Sequence, residues 1–194
     1  MQRTQYIFID YENVAESDLA RITGKPVRVF MIIGTRHRNL PTSLFLFAQD
    51  HPEQVRIIQT LVEGRNALDM VLALELGRVL AGDPDGYFHI VAKDTDYESV
   101  VRHLKAEKRL IARHPSLSEI PALFSKEERM TRLRTELRDP CKPRPSSRKT
   151  LANKIRTAFA YVAEPEIVEE AILEFVKEGI LSFTEADKVS YNAA

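Results

Sequence analysis

The sequence predicts an α/β fold with a central, mostly parallel sheet, followed by a small helical module. Short apolar runs alternate with amphipathic segments along the first part of the chain. Within each run, neighbouring residues are mostly apolar and do not alternate with polar ones. Continuous apolar strands are buried on both faces, as in parallel sheets that are covered by helices. The segment DPCKPRPSSRK (139–149) then interrupts the pattern with three prolines and two serines, which predicts a linker.

The same patterns predict the individual elements. We expect strands at 5–10, 27–33, 55–59, 87–92 and 109–112, and helices at about 16–22, 41–49, 67–80 and 97–107. Ser125 and Glu128 have the spacing of a capping box, which predicts a basic helix that ends near Arg138. Two further helices, at about 150–162 and 165–179, precede a hairpin formed by ILSF and VSYN. We therefore expect a sheet domain over 1–138, a linker over 139–149 and a winged-helix-like module over 150–194.

Composition limits the class of protein. The chain has 194 residues, of which 44% are hydrophobic, enough for a globular core. No apolar stretch reaches the roughly 20 residues that span a bilayer, and the first residues lack a signal-peptide pattern. The single cysteine, Cys141, excludes an internal disulfide and a cysteine-rich zinc site. We expect a soluble, cytoplasmic protein without a membrane partner.

The charges are segregated along the chain although the net charge is zero. Residues 1–101 carry −4, residues 102–156 carry +10 and residues 157–194 carry −6. The basic segment is a candidate phosphate-binding strip. The alternative is a helix whose arginines only keep its exposed face soluble.

Four aspartates are expected at the edge where open parallel sheets bind ligands. Asp10 ends the first strand, Asp94 and Asp96 follow the fourth, and Asp69 lies in the first turn of the third helix. Two carboxylates about 5 Å apart repel by roughly 3 kcal/mol at a dielectric constant near 20, so such a group needs protons or cations. Oxygen ligands without a His or Cys cluster favour Mg²⁺ or Mn²⁺. Singly, each acid could instead be a helix cap, a turn residue or a helix-start acid.

Three motifs occur in this order: FIDYENV, GRNALDMVLALELG and IVAKDTDYESVVRHL. Together they resemble the PIN-like nucleases, specifically the branch near the NYN domain, over roughly residues 5–113. The resemblance implies a compact Rossmann-like PIN/NYN domain and metal-dependent cleavage of RNA. It implies catalytic roles for Asp10, Asn13, Asp69, Asp94 and Asp96, with the four aspartates as metal ligands.

The chain departs from this family at two places. Relatives often have Ser where this chain has Ala92, which removes a hydroxyl that could position a ligand. Branches of the family also differ in the second acid of the last motif. This chain offers both alternatives, Asp96 and Glu98.

The functional expectation is a ribonuclease that uses Mg²⁺ or Mn²⁺ to hydrolyse phosphodiester bonds in RNA, or in single-stranded DNA. The residues expected to hold flanking phosphates are Arg36, Arg38, Arg65 and Lys93. The main alternative is a catalytically weak or inactive PIN-like module that binds RNA or a protein. A phosphoryl-accepting switch domain would need an Asp at the end of the third strand, where this chain has Gln59 and Thr60.

The C-terminal module has a different expected role. Its charge of −6 would be repelled by DNA phosphates, which disfavours a DNA-binding regulator. We expect a lid, a partner site or an element that forms homo-oligomers, with its acidic surface docked on the basic segment of its own or another chain. The alternative is a helical appendage that only covers apolar surface.

Overall fold

The computed structural model describes residues 3–16, 19–37, 39–64, 66–159 and 165–192. Contacts divide the chain into two units, Met1–Leu123 and Phe124–Ala194. None of the helices in the described ranges is long and apolar enough to cross a membrane.

The first unit contains a five-stranded parallel sheet. Its strands are β1 (Gln5–Asp10), β2 (Val27–Ile33), β3 (Val55–Gln59), β4 (Tyr87–Val91) and β5 (Leu110–His114). They are arranged in the order β3-β2-β1-β4-β5, and every neighbouring pair is parallel. The direction of winding therefore reverses between β1 and β4, and such a reversal opens a crevice at the carboxyl ends of those two strands. The predicted α/β fold class is confirmed.

Helices and short turns cover both faces of this sheet. The helices are α1 (Thr42–Asp50), α2 (Ala67–Gly82) and α3 (Glu98–Ala106). Successive residues of β1 enter different cores: Ile7 and Ile9 pack with Leu44 of α1, whereas Phe8 packs with Leu72 of α2. This alternation follows from the two-residue period of a strand. Because both faces of the strand are buried, the successive positions from Ile7 to Ile9 are all apolar.

The helix predicted at about 16–22 is wrong. The structure has only a 3₁₀ turn at Ala20–Ile22, and residues 17 and 18 lie outside the described ranges. Leu19 and Ile22 are buried in the core beside α1, and Gly24 turns the chain with φ +72°. A segment this short cannot offset the cost of helix nucleation, so burial of the two apolar side chains decides its conformation.

The second unit consists of three helices and a hairpin: α4 (Lys126–Arg138), α5 (Arg148–Ala158), α6 (Pro165–Lys177), β6 (Leu181–Phe183) and β7 (Val189–Tyr191). The hairpin is antiparallel. The predicted capping box at the start of α4 is confirmed, with Glu128 N–H donating to Ser125 Oγ at 3.1 Å and Ser125 N–H donating to Glu128 Oε2 at 2.8 Å. The winged-helix-like assignment of this unit stays a prediction.

The division between the units differs from the boundary expected after residue 138. It falls before α4, because Leu133 and Leu137 of this helix pack with Ile155 and Phe175 in the core of the second unit. The segment expected as a linker instead connects α4 to α5 inside that unit. Its Pro145 carbonyl accepts a hydrogen bond of 2.9 Å from the Tyr191 hydroxyl.

Candidate active site

Asp10 lies at the crevice because it is the last residue of β1, the central strand. It is 4% exposed. Its Oδ1 accepts a hydrogen bond of 3.0 Å from Asn13 N–H, and its Oδ2 accepts one of 2.9 Å from the Tyr97 hydroxyl. Burial raises the pKa of Asp10, the two hydrogen bonds oppose this shift, and the charges of Asp69 and Glu12 add to it. The site therefore contains a carboxyl group whose ionised form is disfavoured.

Tyr97 joins Asp10 to Asp69. Its hydroxyl lies 2.5 Å from Asp69 Oδ1 as well as 2.9 Å from Asp10 Oδ2. Burial, followed by the hydrogen bond to Asp69, raises the pKa of Tyr97, so the phenol keeps its proton. A hydroxyl has one hydrogen and can donate it to one acceptor at a time. If both carboxylates are ionised, this cluster is one hydrogen short, and it needs an added proton or a cation.

Tyr97 is a site residue that was not predicted from the sequence. The signal that could have found it is the spacing of Tyr97, Val101 and Leu104, which all face the core beside α2. Residues at positions i, i+4 and i+7 share one face of a helix. The tyrosine at the start of this stripe therefore points toward α2, which carries Asp69.

Asn13 connects the loop after β1 to the loop after β4. Its Oδ1 accepts hydrogen bonds from the backbone N–H groups of Lys93 at 2.8 Å and Asp94 at 3.2 Å. Asn13, one of the predicted site residues, thus holds the backbone of Lys93 and Asp94 next to Asp10. Its own backbone N–H binds Asp10, so Asp10 and Asn13 also form the turn that was the structural alternative for this pair.

Asp94 and Asp96 are exposed at the same edge. Asp94 Oδ1 accepts a hydrogen bond of 3.0 Å from Asp96 N–H. Neither side chain caps α3, because its first turn has no side-chain cap. Glu98, the alternative to Asp96, pairs instead with Arg113 at 2.9 Å. Of the two candidate acids, Asp96 is the one that this ion pair leaves available.

The four predicted aspartates are not assembled as a complete metal site. Within the described ranges, no three or more His, Cys, Asp or Glu side chains are placed to hold a metal ion. The structure brings Asp10 and Asp69 together through Tyr97, and it connects Asp94 to them only through its backbone and Asn13. Carboxylate oxygens are ligands for hard divalent cations, and a cation bound to Asp10 and Asp69 would compensate their charge. The donor set fits such an ion in chemical type.

The predicted phosphate-binding residues have different surroundings. Arg36 pairs with Glu63 at 3.1 Å and is not a free cation. Lys93 is exposed and has no ion-pair partner among the described residues. Arg38 and Arg65 lie outside the described ranges.

Ala92, where relatives often have Ser, is fully buried at 0% exposure. It belongs to the core between the sheet and α2 and α3. A hydroxyl at this position would need a partner inside that core, since an unpaired buried hydroxyl is destabilising. The alanine at position 92 therefore contributes to the packing of the core beneath the site.

Several cations of the basic segment are paired inside the second unit. Arg134 of α4 pairs with Glu174 and Glu178 of α6. Two further ion pairs to acids of α6 join Lys126 to Glu170 and Arg148 to Glu169. The acidic segment thus docks on the basic segment of the same chain, as one of the sequence alternatives expected.

Comparison with protein families gives one assignment. A family model of the PIN domain matches residues 4–114, which include all five strands and the cluster of Asp10, Asp69 and Tyr97. Comparisons with curated proteins and with solved structures gave no match. PIN domains are commonly metal-dependent nucleases that bind nucleic acids. The parallel sheet, the acids at its crevice and the family match agree, and the chain belongs to the PIN domain family.

Proposed function

We propose that the chain is a nuclease that hydrolyses phosphodiester bonds in RNA with Mg²⁺ or Mn²⁺. The observation that carries this proposal is the cluster of Asp10, Tyr97 and Asp69 at the crevice between β1 and β4. Two carboxylates that share one hydroxyl hydrogen have a deficit of positive charge, which a divalent cation would relieve. The family assignment supports the same chemistry.

The residues of the chain have separate roles in this proposal. Asp10 and Asp69 would hold the metal, and the exposed carboxylate of Asp94 would join them, with its second oxygen available while Oδ1 accepts from Asp96 N–H. When bound, the metal supplies an activated water and neutralises charge on the phosphate. Tyr97 fixes the two carboxylates relative to each other and stays protonated. Asn13 positions the backbone that carries Asp94, and Asp96 orients water or acts as an outer ligand.

The substrate is held mainly through its phosphates. Lys93 is exposed beside Asp94 and carries a positive charge at the edge where the acids lie. We propose that Lys93 binds a phosphate next to the scissile bond, and that Arg38 and Arg65 bind the phosphates that flank it. Because such contacts release counterions, binding should weaken steeply as salt is added.

The decisive experiment measures cleavage of single-stranded RNA by Asp69→Asn and Asp94→Asn. Each variant removes one charge with little change in size, and we expect cleavage to fall by about 100-fold or more. Asp85→Asn is the matched control, because Asp85 is an exposed acid in the turn before β4, away from the carboxyl ends of the strands. Equal rates for all three variants, or cleavage that survives removal of divalent ions by EDTA, would reject the assignment.

One observation favours a second function, a PIN module that binds RNA or a protein without cleaving RNA. The described residues contain no group of three ligands assembled for a metal. Titration with Mn²⁺ separates the two functions. A nuclease should show a rise in melting temperature that Asp69→Asn abolishes, whereas a binding module should show the same melting temperature with and without Mn²⁺.

A further inference from the structure

A cleft of about 500 Å³ opens where β1, β2 and β3 end. Glu12, two residues after Asp10, lines one side, and Leu68, the neighbour of Asp69, lines another. Pockets for small ligands have volumes of about 300–1,000 Å³, so the cleft has room for one nucleotide base. Its position next to Asp10 and Asp69 would place such a base beside the proposed cleavage site.

Glu12 presents its carboxylate to this cleft across a glycine. A β-carbon at position 34 would lie 1.7 Å from Glu12 Oε1, so Gly34 leaves the space that this carboxylate occupies. Among the described residues, the Glu12 carboxylate has no hydrogen-bond or ion-pair partner. Two acceptor oxygens are therefore held in the cleft without a donor.

Thr60 adds a second polar group that lacks a partner. The residue is 4% exposed and lines the cleft. Its backbone N–H donates to Ile33 at 2.9 Å, but its hydroxyl has no hydrogen-bond partner within the described ranges. The hydroxyl oxygen is accessible from the cleft, where it could contact a ligand.

Among its described lining residues, the cleft offers a phosphate no unpaired cation. Arg36 is the one cation among the described lining residues, and it is paired with Glu63, which also accepts a hydrogen bond from Thr35. The hydrogen bond from Arg36 holds the pKa of Glu63 below its ordinary value, so Glu63 stays ionised. In the described lining, the carboxylates of Glu12 and Glu63 outnumber the one guanidinium of Arg36. This lining suits a neutral group that donates N–H bonds.

Guanine is the base that matches this chemistry. Its Watson–Crick edge presents N1–H and the N2 amino group side by side, which pair with the two oxygens of one carboxylate. Adenine and uracil do not present two adjacent donors, and single-stranded bases are read on this edge. We propose that the cleft is a base subsite in which Glu12 selects guanine next to the cleaved bond of a single-stranded nucleic acid. The placement relative to cleavage rests on the proposed nuclease function, whereas the preference for guanine can be measured by binding alone.

The test uses the 194-residue chain carrying Asp69→Asn, in EDTA, so that binding is measured without cleavage. The probes are fluorescent single-stranded RNA oligomers with one guanosine, and the same oligomers with inosine, which lacks the N2 amino group, or adenosine at that position. We expect guanosine to bind about tenfold more tightly than either, since a bidentate pair of hydrogen bonds discriminates between bases by at least about this factor. Equal affinities for the three oligomers would overturn the proposal without any further variant.

Two variants assign the preference to Glu12. Glu12→Gln should remove the difference between guanosine and inosine, and Gly34→Ala should reduce it by displacing the carboxylate while Glu12 is retained. Glu53→Gln, at an exposed acid before β3, is the matched control and should keep the preference. A preference that survives both cleft variants would overturn the role of Glu12.

The outcomes also separate this inference from the proposed function. If the unmodified chain cleaves no RNA with any divalent ion but shows the Glu12-dependent preference, the nuclease proposal fails and the subsite stands. If it cleaves RNA and all oligomers bind equally, the nuclease proposal stands and the subsite fails.

Discussion

The Tyr97 hydroxyl lies 2.5 Å from the carboxylate of Asp69, although 28 residues separate the two in the sequence. The same hydroxyl is 2.9 Å from the carboxylate of Asp10 on the central strand. The two carboxylates therefore have one hydroxyl hydrogen between them. The same shortage of positive charge affects the stability of the fold and favours binding of a cation at the site.

Replacing Tyr97 with Phe should destabilise the chain when divalent ions are absent. Within the described part of the chain, the variant removes the one donor that Asp10 and Asp69 share, and an unsatisfied buried acceptor costs about 1–3 kcal/mol. We expect the free energy of unfolding in urea with EDTA to fall by this amount, and Mn²⁺ to restore more stability than it adds to the unmodified chain. Tyr11→Phe is the control, since Tyr11 is buried but its hydroxyl has no hydrogen bond among the described residues. Equal losses in the two variants would contradict the bridging role.

Replacing Asn13 with Ala should loosen the loop after β4. The backbone N–H groups of Lys93 and Asp94 would lose their acceptor, the Asn13 side-chain oxygen. We expect faster hydrogen exchange at these two amides, and cleavage reduced by about 10- to 100-fold if the proposed function holds. Asn13→Asp keeps an acceptor oxygen and should keep slow exchange. Unchanged exchange in Asn13→Ala would show that other contacts hold the loop.

His89 should make the chain less stable at acidic pH. Burial lowers its pKa from 6.5 to about 3, and its ring contacts Gln5 at 2.9 Å and His114 at 3.1 Å. Above pH 6.5 the ring is neutral in both the folded and the unfolded chain, so its contribution is fully present. Between pH 6.5 and about 3 only the unfolded chain binds the proton, and the free energy of unfolding falls by about 1.4 kcal/mol per pH unit.

Urea unfolding between pH 8 and pH 4 measures this effect. His89→Gln should show a smaller decrease toward low pH than the unmodified chain. The raised pKa of Asp10 acts in the opposite direction, but it is present in both proteins and cancels in the comparison. His103→Gln, at a histidine whose side chain is 76% exposed, should leave the slope unchanged. Parallel curves for His89→Gln and the unmodified chain would refute the assignment.

Replacing Arg134 with Gln should destabilise the second unit. The guanidinium joins α4 to Glu174 and Glu178 of α6, and its side chain is 24% exposed, so solvent screens the pairs in part. We expect a loss of roughly 1 kcal/mol at low salt and a smaller loss in 1 M NaCl. Arg156→Gln, at an exposed arginine of α5 that has no ion pair with the described residues and donates to Asn153, should cost less. Equal losses at both salt concentrations would argue against an electrostatic contribution.

Local sequence patterns were sufficient for most elements. The runs QYIFID and VRVFMII became β1 and β2 with the expected bounds, because an uninterrupted apolar run can be buried only between two covered faces. The capping box at Ser125 was predicted correctly for a similar reason, since both of its hydrogen bonds join residues three apart. The helix at about 16–22 failed because its apolar residues are held by distant parts of the core, and its own length is insufficient for a helix.

What the sequence by itself determined is the list of strands, the placement of Asp10 and Asp94 at or just after strand ends, and the placement of Asp69 in the first turn of a helix, because periodicity and capping act within a few residues. Only the tertiary structure decided that β1 and β4 are neighbours, that Tyr97 bridges two of these acids, and that Arg113 engages Glu98 and leaves Asp96 available. These relationships depend on the packing of segments far apart in the chain. Their free energy comes from burial and hydrogen bonding between elements, which no local pattern encodes.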